Sequence, residues 1–336
     1  MVFKIQFMKQ KVMRTVVYML LPATAAAIYF FGWRSLVIVL LSVFSCVITE
    51  WLFVRGNTGK VSEAVFVTAF IYALSLPPTL PFYMVIIGAV FAITFGKMAF
   101  GGFGSNVFNP AMVGRAFVYI TFPIHMTNRW IPAANFSDFP GGFAAWRFHP
   151  TPDYLSAITE ATPQIAYKDG AAELPSYFQL LLGNINGQFE RLGETTLIGA
   201  GSMGEVSAIL LIIGGLYLVY KKAANWRLVV SFFGTYLIFD TILHLIIPAK
   251  VPNPLFGILA GSAILGGFFI VTDPVSAPKI DLTRYIYGSL IAIFTITIKS
   301  FALFSGGLFF GVLLGNMFGP IIDYYVKRYQ TRRKSA

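Results

Sequence analysis

The chain has 336 residues, of which 57% are hydrophobic, 16% are aromatic and only 12% are charged. Soluble domains carry about 25% charged residues, so this composition excludes a disordered chain and a soluble nucleic-acid-binding domain. One cysteine excludes a disulfide-stabilised scaffold. The mean hydropathy of +0.72 instead predicts a polytopic membrane protein, whose net charge of +11 is expected to mark one side of the membrane.

Ten apolar segments predict an all-α integral membrane protein, because backbone polar groups in lipid must pair within helices. The third segment ends at Pro77 and Pro78, and the fifth contains Asn109-Pro110 near its start. The ten segments are residues 12–32, 36–54, 64–76, 82–94, 107–122, 204–220, 226–247, 254–271, 285–303 and 308–326.

The first segment has two interpretations. Basic residues precede it and Ala23-Thr24-Ala25 resembles a cleavage site, as in a signal peptide. The apolar run continues through residues 28–31, beyond that site, which favours a retained helix.

The basic residues predict the orientation in the membrane. With a cytoplasmic N-terminus, seventeen of the 25 lysines and arginines lie in cytoplasmic segments, as the positive-inside rule requires. The long segment 123–203 then lies outside, and it is acidic, with seven carboxylates against four basic residues. Both termini are therefore expected in the cytoplasm.

Five spans, a loop and five spans indicate an internal duplication. Because five is odd, the second half would be inverted in the bilayer, as in many transporters. The predicted organisation is a first five-helix half (1–122), an external loop (123–203) that forms a small cap or hairpin, and a second five-helix half (204–336) with a basic tail.

Several polar residues lie in or beside the predicted spans, where they are costly and often functional. Asp240 and His244 share a helix face, as a satisfied polar pair or as part of a proton or ion relay. Arg115 follows a glycine-rich turn and a helix start, an arrangement that suits an anion as well as structural packing. The carboxylates in such positions are Glu50, Glu63, Glu205, Asp240, Asp273 and Asp323.

Other features of the sequence do not indicate a functional site. Cys46 lies in the middle of an apolar segment and is interpreted as a small core residue. One cysteine and three histidines provide no zinc or iron–sulfur ligand set, and the sequence has no nucleotide-binding motif. Hydroxyl residues beside Pro163, in the segment 153–163, are by themselves typical of a turn.

Three motifs resemble a known family. Residues 104–117 (GSNVFNPAMVGRAF), 201–207 (GSMGEVS) and 272–278 (TDPVSAP) are similar to stretches of two homologous subunits. These are the B subunit of the sodium-translocating NADH:quinone oxidoreductase and the D subunit of the Rnf complex. The resemblance covers nearly the whole chain in the same order. A short N-terminal segment before the first span makes the chain more similar to the Rnf subunit.

The resemblance implies a flavin cofactor. In this family a threonine of the external loop is esterified to the phosphate of FMN by a flavin transferase, and the matching residue is Thr162, in Thr159-Glu160-Ala161-Thr162-Pro163. Glu160 replaces a glycine of the family motif, which puts the efficiency of attachment in doubt. The remaining expected cofactor-site residues are Thr159, Asp153, Arg115 and Asn109, with Arg147 or Arg129 as phosphate partners.

The resemblance also implies a role in an ion-translocating electron-transfer complex of a bacterial inner membrane, with iron–sulfur and other membrane subunits as partners. Riboflavin is an expected second flavin, and Na⁺ or H⁺ the transported ion. Asp240, Asp273, Glu205 and Asn109 are the candidate residues of its path. Two alternatives remain: a channel or secondary transporter for a small polar solute, which the inverted repeat suits equally, and a flavin-free scaffold.

Overall fold

A computed structural model describes residues 5–56, 59–127, 130–147, 160–191, 194–302 and 306–335. These residues are mostly helical. The helices are α1 (Lys11–Phe31), α2 (Arg34–Val54), α3 (Ala64–Leu74), α4 (Phe82–Gly96), α5 (Pro110–Thr121), α6 (Pro123–Thr127), α7 (Pro163–Lys168), α8 (Tyr177–Leu182), α9 (Ala208–Tyr220), α10 (Trp226–Ile246), α11 (Pro254–Leu259), α12 (Ala263–Leu265), α13 (Asp281–Phe301) and α14 (Gly307–Ser335).

Five helical segments among the described residues are long and apolar enough to cross a membrane, in agreement with an all-α membrane protein. They are Lys11–Phe31, Arg34–Val54, Phe82–Phe100, Trp226–Ile246 and Gly307–Arg332. The other predicted spans also coincide with helices, but these are mostly shorter. Residues 254–271 are divided among α11, α12 and a π-helical turn, Gly266–Ile270.

Prolines determine where several of these helices begin. The pyrrolidine ring suits the first helical position, where no N–H partner is needed. Asn109 precedes Pro110, and its Oδ1 accepts hydrogen bonds from the backbone N–H of Ala111 and Met112. Thr162 occupies the same position before Pro163.

The two halves repeat one packing pattern. In the first half α2 packs on α4 and α4 on α5, and in the second α10 packs on α13 and α13 on α14. Across the middle of the molecule, α1 contacts α9 and α5 contacts α14. The helices that meet are therefore the first helix of each half and the last helix of each half.

Small residues allow α4 and α5 to approach closely, as is common for helices in membranes. A Cβ atom on Gly114 of α5 would lie 2.6 Å from the Cβ of Ala92 and 2.7 Å from the carbonyl oxygen of Gly88. No larger side chain fits at Gly114 without moving one helix.

Small sheets flank the helices. β1 (Gln6–Met8) pairs in parallel with β2 (Lys60–Ser62). In the segment between the halves, β5 (Glu194–Ile198) lies between β3 (Glu160–Ala161), to which it is parallel, and β4 (Gln188–Arg191), to which it is antiparallel.

Part of the segment between the halves covers the turn between α1 and α2. The backbone N–H of Trp33 donates to Ala145 O at 3.1 Å, and that of Ala134 donates to Phe30 O at 3.1 Å. The segment is thus anchored on the first helix of the first half.

Candidate functional site

Thr162 lies between β3 and α7, a position that buries its side chain. The pairing of Ala161 with Ile198 fixes the backbone on one side, and Thr162 O accepts the Ala166 N–H at 2.9 Å on the other. The residue is 6% exposed. Its Oγ1 is buried and has no hydrogen-bond partner in the described part of the chain.

Thr162 faces a small cavity that both halves line. The first half contributes Arg115 from α5, and the second contributes Phe309 from α14 and the break between α11 and α12. The lining residues are Arg115, Trp130, Thr162, Gln164, Glu205, Ala260, Gly261, Ser262 and Phe309.

Arg115 brings a cation with two unpartnered nitrogens to this cavity, which the carboxylate-bearing Glu205 also lines. It is 3% exposed, and its Nε and Nη1 have no hydrogen-bond partner within the described ranges. Its guanidinium carbon lies 3.7 Å from the centre of the Phe309 ring, so the guanidinium stacks on an aromatic face, which is an attractive arrangement.

Two further polar groups complete the cavity. The indole Nε1 of Trp130 is buried and lacks an acceptor among the residues described. The carboxylate of Glu205 accepts the backbone N–H of Ser202 at 3.4 Å. Unsatisfied buried donors are rare in native proteins and indicate an absent partner.

This donor set fits the phosphate of a threonine-linked flavin mononucleotide. A phosphate ester on Oγ1 would have acceptor oxygens beside the guanidinium of Arg115, and arginine binds phosphate well. The orphaned Thr162 hydroxyl and the unpaired Arg115 nitrogens are the observations that support this fit.

The other expected cofactor-site residues lie elsewhere or are not described. Thr159, Asp153 and Arg129 fall outside the described residues, and so does the side chain of Glu160. Arg147 is exposed and packs close to Gly32, away from the Thr162 cavity. Sequence reasoning did not find Trp130, Gln164 and Phe309, which no motif distinguishes from ordinary aromatic or polar residues.

Asn109 belongs to a second cluster, which joins the two halves. Its Nδ2 donates to Asp273 Oδ2 at 3.3 Å, and its backbone N–H donates to Asn316 Oδ1 at 2.9 Å. Asp273 also accepts the Ser276 hydroxyl at 2.8 Å. Two residues that the sequence made candidates for the ion path are thus in direct contact.

Another cavity adjoins this second cluster. Its walls are mainly apolar, with a few polar groups that converge from both halves, as is usual for a small-molecule site. The polar lining residues are Thr68, Lys97, Asn106, Asn109, Thr272 and Asp273.

The burial of Lys97 in this region was not expected from the sequence. The charge pattern assigned it to a cytoplasmic loop, yet its side chain is 2% exposed. Its Nζ lies 2.6 Å from Glu50 Oε2 and 2.6 Å from Ser62 Oγ. The other Glu50 oxygen accepts the N–H and the hydroxyl of Ser62, so both carboxylate oxygens are satisfied.

Asp240 and His244 do not pair with each other in the described contacts. The Nδ1 of His244 lies 2.7 Å from Val251 O. Asp240 is 3% exposed, and its Oδ2 has no hydrogen-bond partner among described residues. It faces a third, small cavity together with Lys299 of α13.

The remaining carboxylates have defined partners. Arg14 forms an ion pair with Glu63, and its Nε lies 2.8 Å from each carboxylate oxygen. These hydrogen bonds from Arg14 lower the pKa of Glu63. Asp323 accepts the backbone N–H of Lys279 at 3.2 Å.

The fold and these buried polar sites define a polytopic membrane protein with polar cavities between two helical halves. Comparison with known proteins identifies its family: residues 4–332 match the model of the NQR2, RnfD, RnfE family. The chain belongs to this family.

Curated relatives share about a third of the sequence over nearly their whole length. Those of Aeromonas hydrophila, Cronobacter sakazakii and Shigella boydii are 32%, 33% and 34% identical to this chain. The alignments cover 97%, 94% and 94% of this chain and 95%, 93% and 92% of the relatives. Each relative is named as the D subunit of an ion-translocating oxidoreductase complex.

Proposed function

We propose that the chain is a flavin-carrying membrane subunit of an ion-translocating oxidoreductase complex of the Rnf type. The names of its relatives support the complex. The observation that carries the flavin assignment is one cavity lined by the Thr162 hydroxyl, which has no partner in the described residues, and by two unpartnered nitrogens of Arg115. The subunit does not catalyse a reaction alone; it holds a cofactor between partners.

The proposed architecture has ten membrane segments in two inverted five-helix halves. The repeated packing of the second, fourth and fifth helix in each half supports it. Short and broken helices are expected in such folds, at ligand sites near the repeat interface. Both termini then lie in the cytoplasm of a bacterial inner membrane, and the segment 123–203 lies in the periplasm, where a flavin transferase acts.

Thr162 is the proposed attachment residue for FMN, through a phosphodiester bond. FMN supplies one-electron redox chemistry when it is bound. The chain supplies position: Arg115 holds the phosphate, the Trp130 indole donates a hydrogen bond, and burial excludes water. Because Thr162 is 6% exposed, the transferase has to act while the segment between β3 and α7 is open.

The cavity beside Asn109 and Asp273 is the proposed site of a second, non-covalent flavin such as riboflavin. Its apolar walls suit an aromatic ring system, and the amides of Asn106 and Asn109 offer both donors and acceptors to a heterocycle. Lys97 also lines this cavity, and its ammonium is paired with Glu50.

Ion movement is proposed to depend on contacts between the halves. Asn109 in the first half contacts Asp273 in the second, and both line the second proposed flavin site, so a change at that site acts directly on the junction. Na⁺ or H⁺ is the proposed ion, and iron–sulfur subunits are the proposed electron partners. These partners are necessary because the chain has only one cysteine, Cys46, which is buried.

In-gel flavin fluorescence of the denatured protein, purified from its native host, tests the central assignment. Wild-type protein should fluoresce, Thr162→Ala should not, and Thr159→Ala should serve as the matched control that keeps its fluorescence. A wild-type protein without fluorescence would contradict the flavin assignment and favour a solute transporter of the same architecture. A flavin-free scaffold would retain complex activity in Thr162→Ala.

A further inference from the structure

A lysine occurs beside a buried carboxylate in both halves, at corresponding places. In the first half Glu50 lies near the end of the second helix and Lys97 at the end of the fourth. In the second half Asp240 lies on α10 and Lys299 on α13, again the second and fourth long helices. The pairs differ in how completely their polar atoms are satisfied.

In the Glu50–Lys97 pair both charged groups have hydrogen-bond partners within the protein, and we call this pair closed. Both Glu50 oxygens accept hydrogen bonds, and the Lys97 ammonium contacts Glu50 and Ser62 at 2.6 Å each. Each residue is 2% exposed at its side chain. Nothing in this arrangement calls for another ligand.

In the Asp240–Lys299 pair one carboxylate oxygen has no hydrogen-bond partner among the described residues, and we call this pair open. The Lys299 Nζ donates to Gly257 O at 2.6 Å and to the Tyr236 hydroxyl at 2.9 Å. Tyr236 and Gln164 also donate to Gly257 O, each at 3.2 Å. One carbonyl, with two lone pairs, thus faces three donors, while the buried Asp240 Oδ2 has no partner in the described structure.

The oxygen atoms around Lys299 are those that alkali cations prefer. A backbone carbonyl, a hydroxyl and a carboxylate are hard ligands, and carbonyls at broken helices coordinate Na⁺ in inverted-repeat transporters. Gly257 lies in α11, immediately before the break at residues 260–262. A Cβ atom at Gly257 would lie 2.9 Å from Asp240 Oδ2, so glycine permits this close approach.

We propose that Asp240, Tyr236 and the Gly257 carbonyl form a binding site for a monovalent cation, which the Lys299 ammonium occupies in this structure. The cation enters when Lys299 gives its proton to water and withdraws from the oxygens. One cation then replaces one proton, so the charge of the site is unchanged. This inference rests on the proposed ion-translocating role and locates one step of it.

Charged groups from every neighbouring element bear on this exchange. Lys168 on α7 and Lys250 after α10 line the same cavity and repel an entering cation. Glu205, which precedes α9, acts electrostatically on Lys299, as His244 does on Asp240. The Lys168 ammonium donates to the carbonyls of Lys299 and Ala302, and burial lowers the pKa of Lys168.

Binding of radioactive ²²Na⁺ to the full-length protein tests the proposal, with unlabelled Na⁺ or K⁺ as competitor. Below the pKa of Lys299, the wild-type affinity should rise by about tenfold per pH unit, because one proton leaves for each cation bound. Lys299→Met keeps the aliphatic stem but removes the ammonium, and it should bind at least tenfold more tightly than wild type at pH 7. Asp240→Asn should abolish binding.

Lys250→Met is the matched control. It removes one positive charge from the same cavity but leaves the Lys299 ammonium between the oxygens, so its binding should keep the wild-type pH dependence. Equal, pH-independent cation binding in all variants would overturn the proposal, as would the absence of binding in folded Lys299→Met. If Lys299→Met does not fold, the wild-type pH series and Asp240→Asn still decide. Flavin fluorescence in the same samples tests the proposed function separately.

Discussion

Arg115 and Thr162 line one buried cavity, although Arg115 comes from the fifth helix of the first half and Thr162 from the segment between the halves. Both side chains carry polar atoms without hydrogen-bond partners in the described part of the molecule. Burial of guanidinium nitrogens without hydrogen-bond partners is costly, and the proposed function supplies a phosphate as their partner.

Arg115→Met should reduce the fraction of protein that carries flavin. A charge-assisted hydrogen bond contributes about 1.5–3 kcal/mol, so loss of the guanidinium should weaken docking of the FMN phosphate before attachment by about ten- to a hundredfold. Fluorescence per mole of protein measures the effect on attachment. Because Nε and Nη1 of Arg115 make no protein hydrogen bond in the described residues, thermal stability should fall only by the loss of the stacking on Phe309. Unchanged flavin content with reduced stability would mean that Arg115 is structural.

Lys97→Met should strongly destabilise the first half. Removing one partner of a buried ion pair leaves an uncompensated charge and costs about 3–5 kcal/mol. In Lys97→Met that charge would be the buried carboxylate of Glu50. The double variant Glu50→Gln, Lys97→Met should recover part of the loss. Thermal unfolding in detergent gives the comparison, and a single variant no less stable than the double one would contradict the account.

The contribution of Glu63 to stability should depend on pH. Hydrogen bonds from Arg14 lower the pKa of Glu63, so the folded state favours the charged carboxylate. The stabilisation is fully present above the unfolded pKa of about 4.3 and is lost as the pH falls through the lower folded pKa. The Tm difference between wild type and Glu63→Gln should therefore be constant from pH 7 to pH 5 and shrink towards pH 3.

Exposed Glu173 provides the control for the loss of one negative charge. Glu173→Gln should leave the Tm close to that of wild type at pH 7. A difference for Glu63→Gln that grows as the pH falls would have the wrong sign for this mechanism.

Gly114→Ala should destabilise the contact between α4 and α5. The new methyl group would lie 2.6 Å from the Cβ of Ala92, and such overpacking costs about 1–3 kcal/mol. Gly234→Ala is the matched control, because it lies within α10 and has nothing within 4 Å of the new Cβ. Equal Tm values for the two variants would show that the helices do not meet as described.

The sequence predicted where the helices lie better than which helices contact each other. Apolar length located the long helices, and prolines lie at the starts of the predicted spans that became α5 and α11. The short helix α7 was not predicted, because Pro163 was interpreted as part of a turn. Residues 254–271 were predicted as one span, because their hydropathy does not show the break after α11. Thr162 and Arg115 were both candidate residues, but a shared cavity depends on tertiary packing that no local pattern encodes.

Charged residues were the least predictable. Lys97 counted as cytoplasmic because it follows an apolar segment, yet its partner Glu50 is on another helix and holds it in the interior. Lys299 was only one of several basic residues in or near spans. Its importance comes from the Gly257 carbonyl and from the unpaired oxygen of Asp240, which lie far from it in sequence.

The most direct test is mass spectrometry of peptides from protein isolated from its native membrane. The proposed function predicts one peptide whose mass is increased by a flavin mononucleotide in phosphodiester linkage, with fragmentation that assigns the bond to Thr162. An unmodified Thr162 in protein that supports electron transfer in its complex, or a flavin on any other residue, would contradict it.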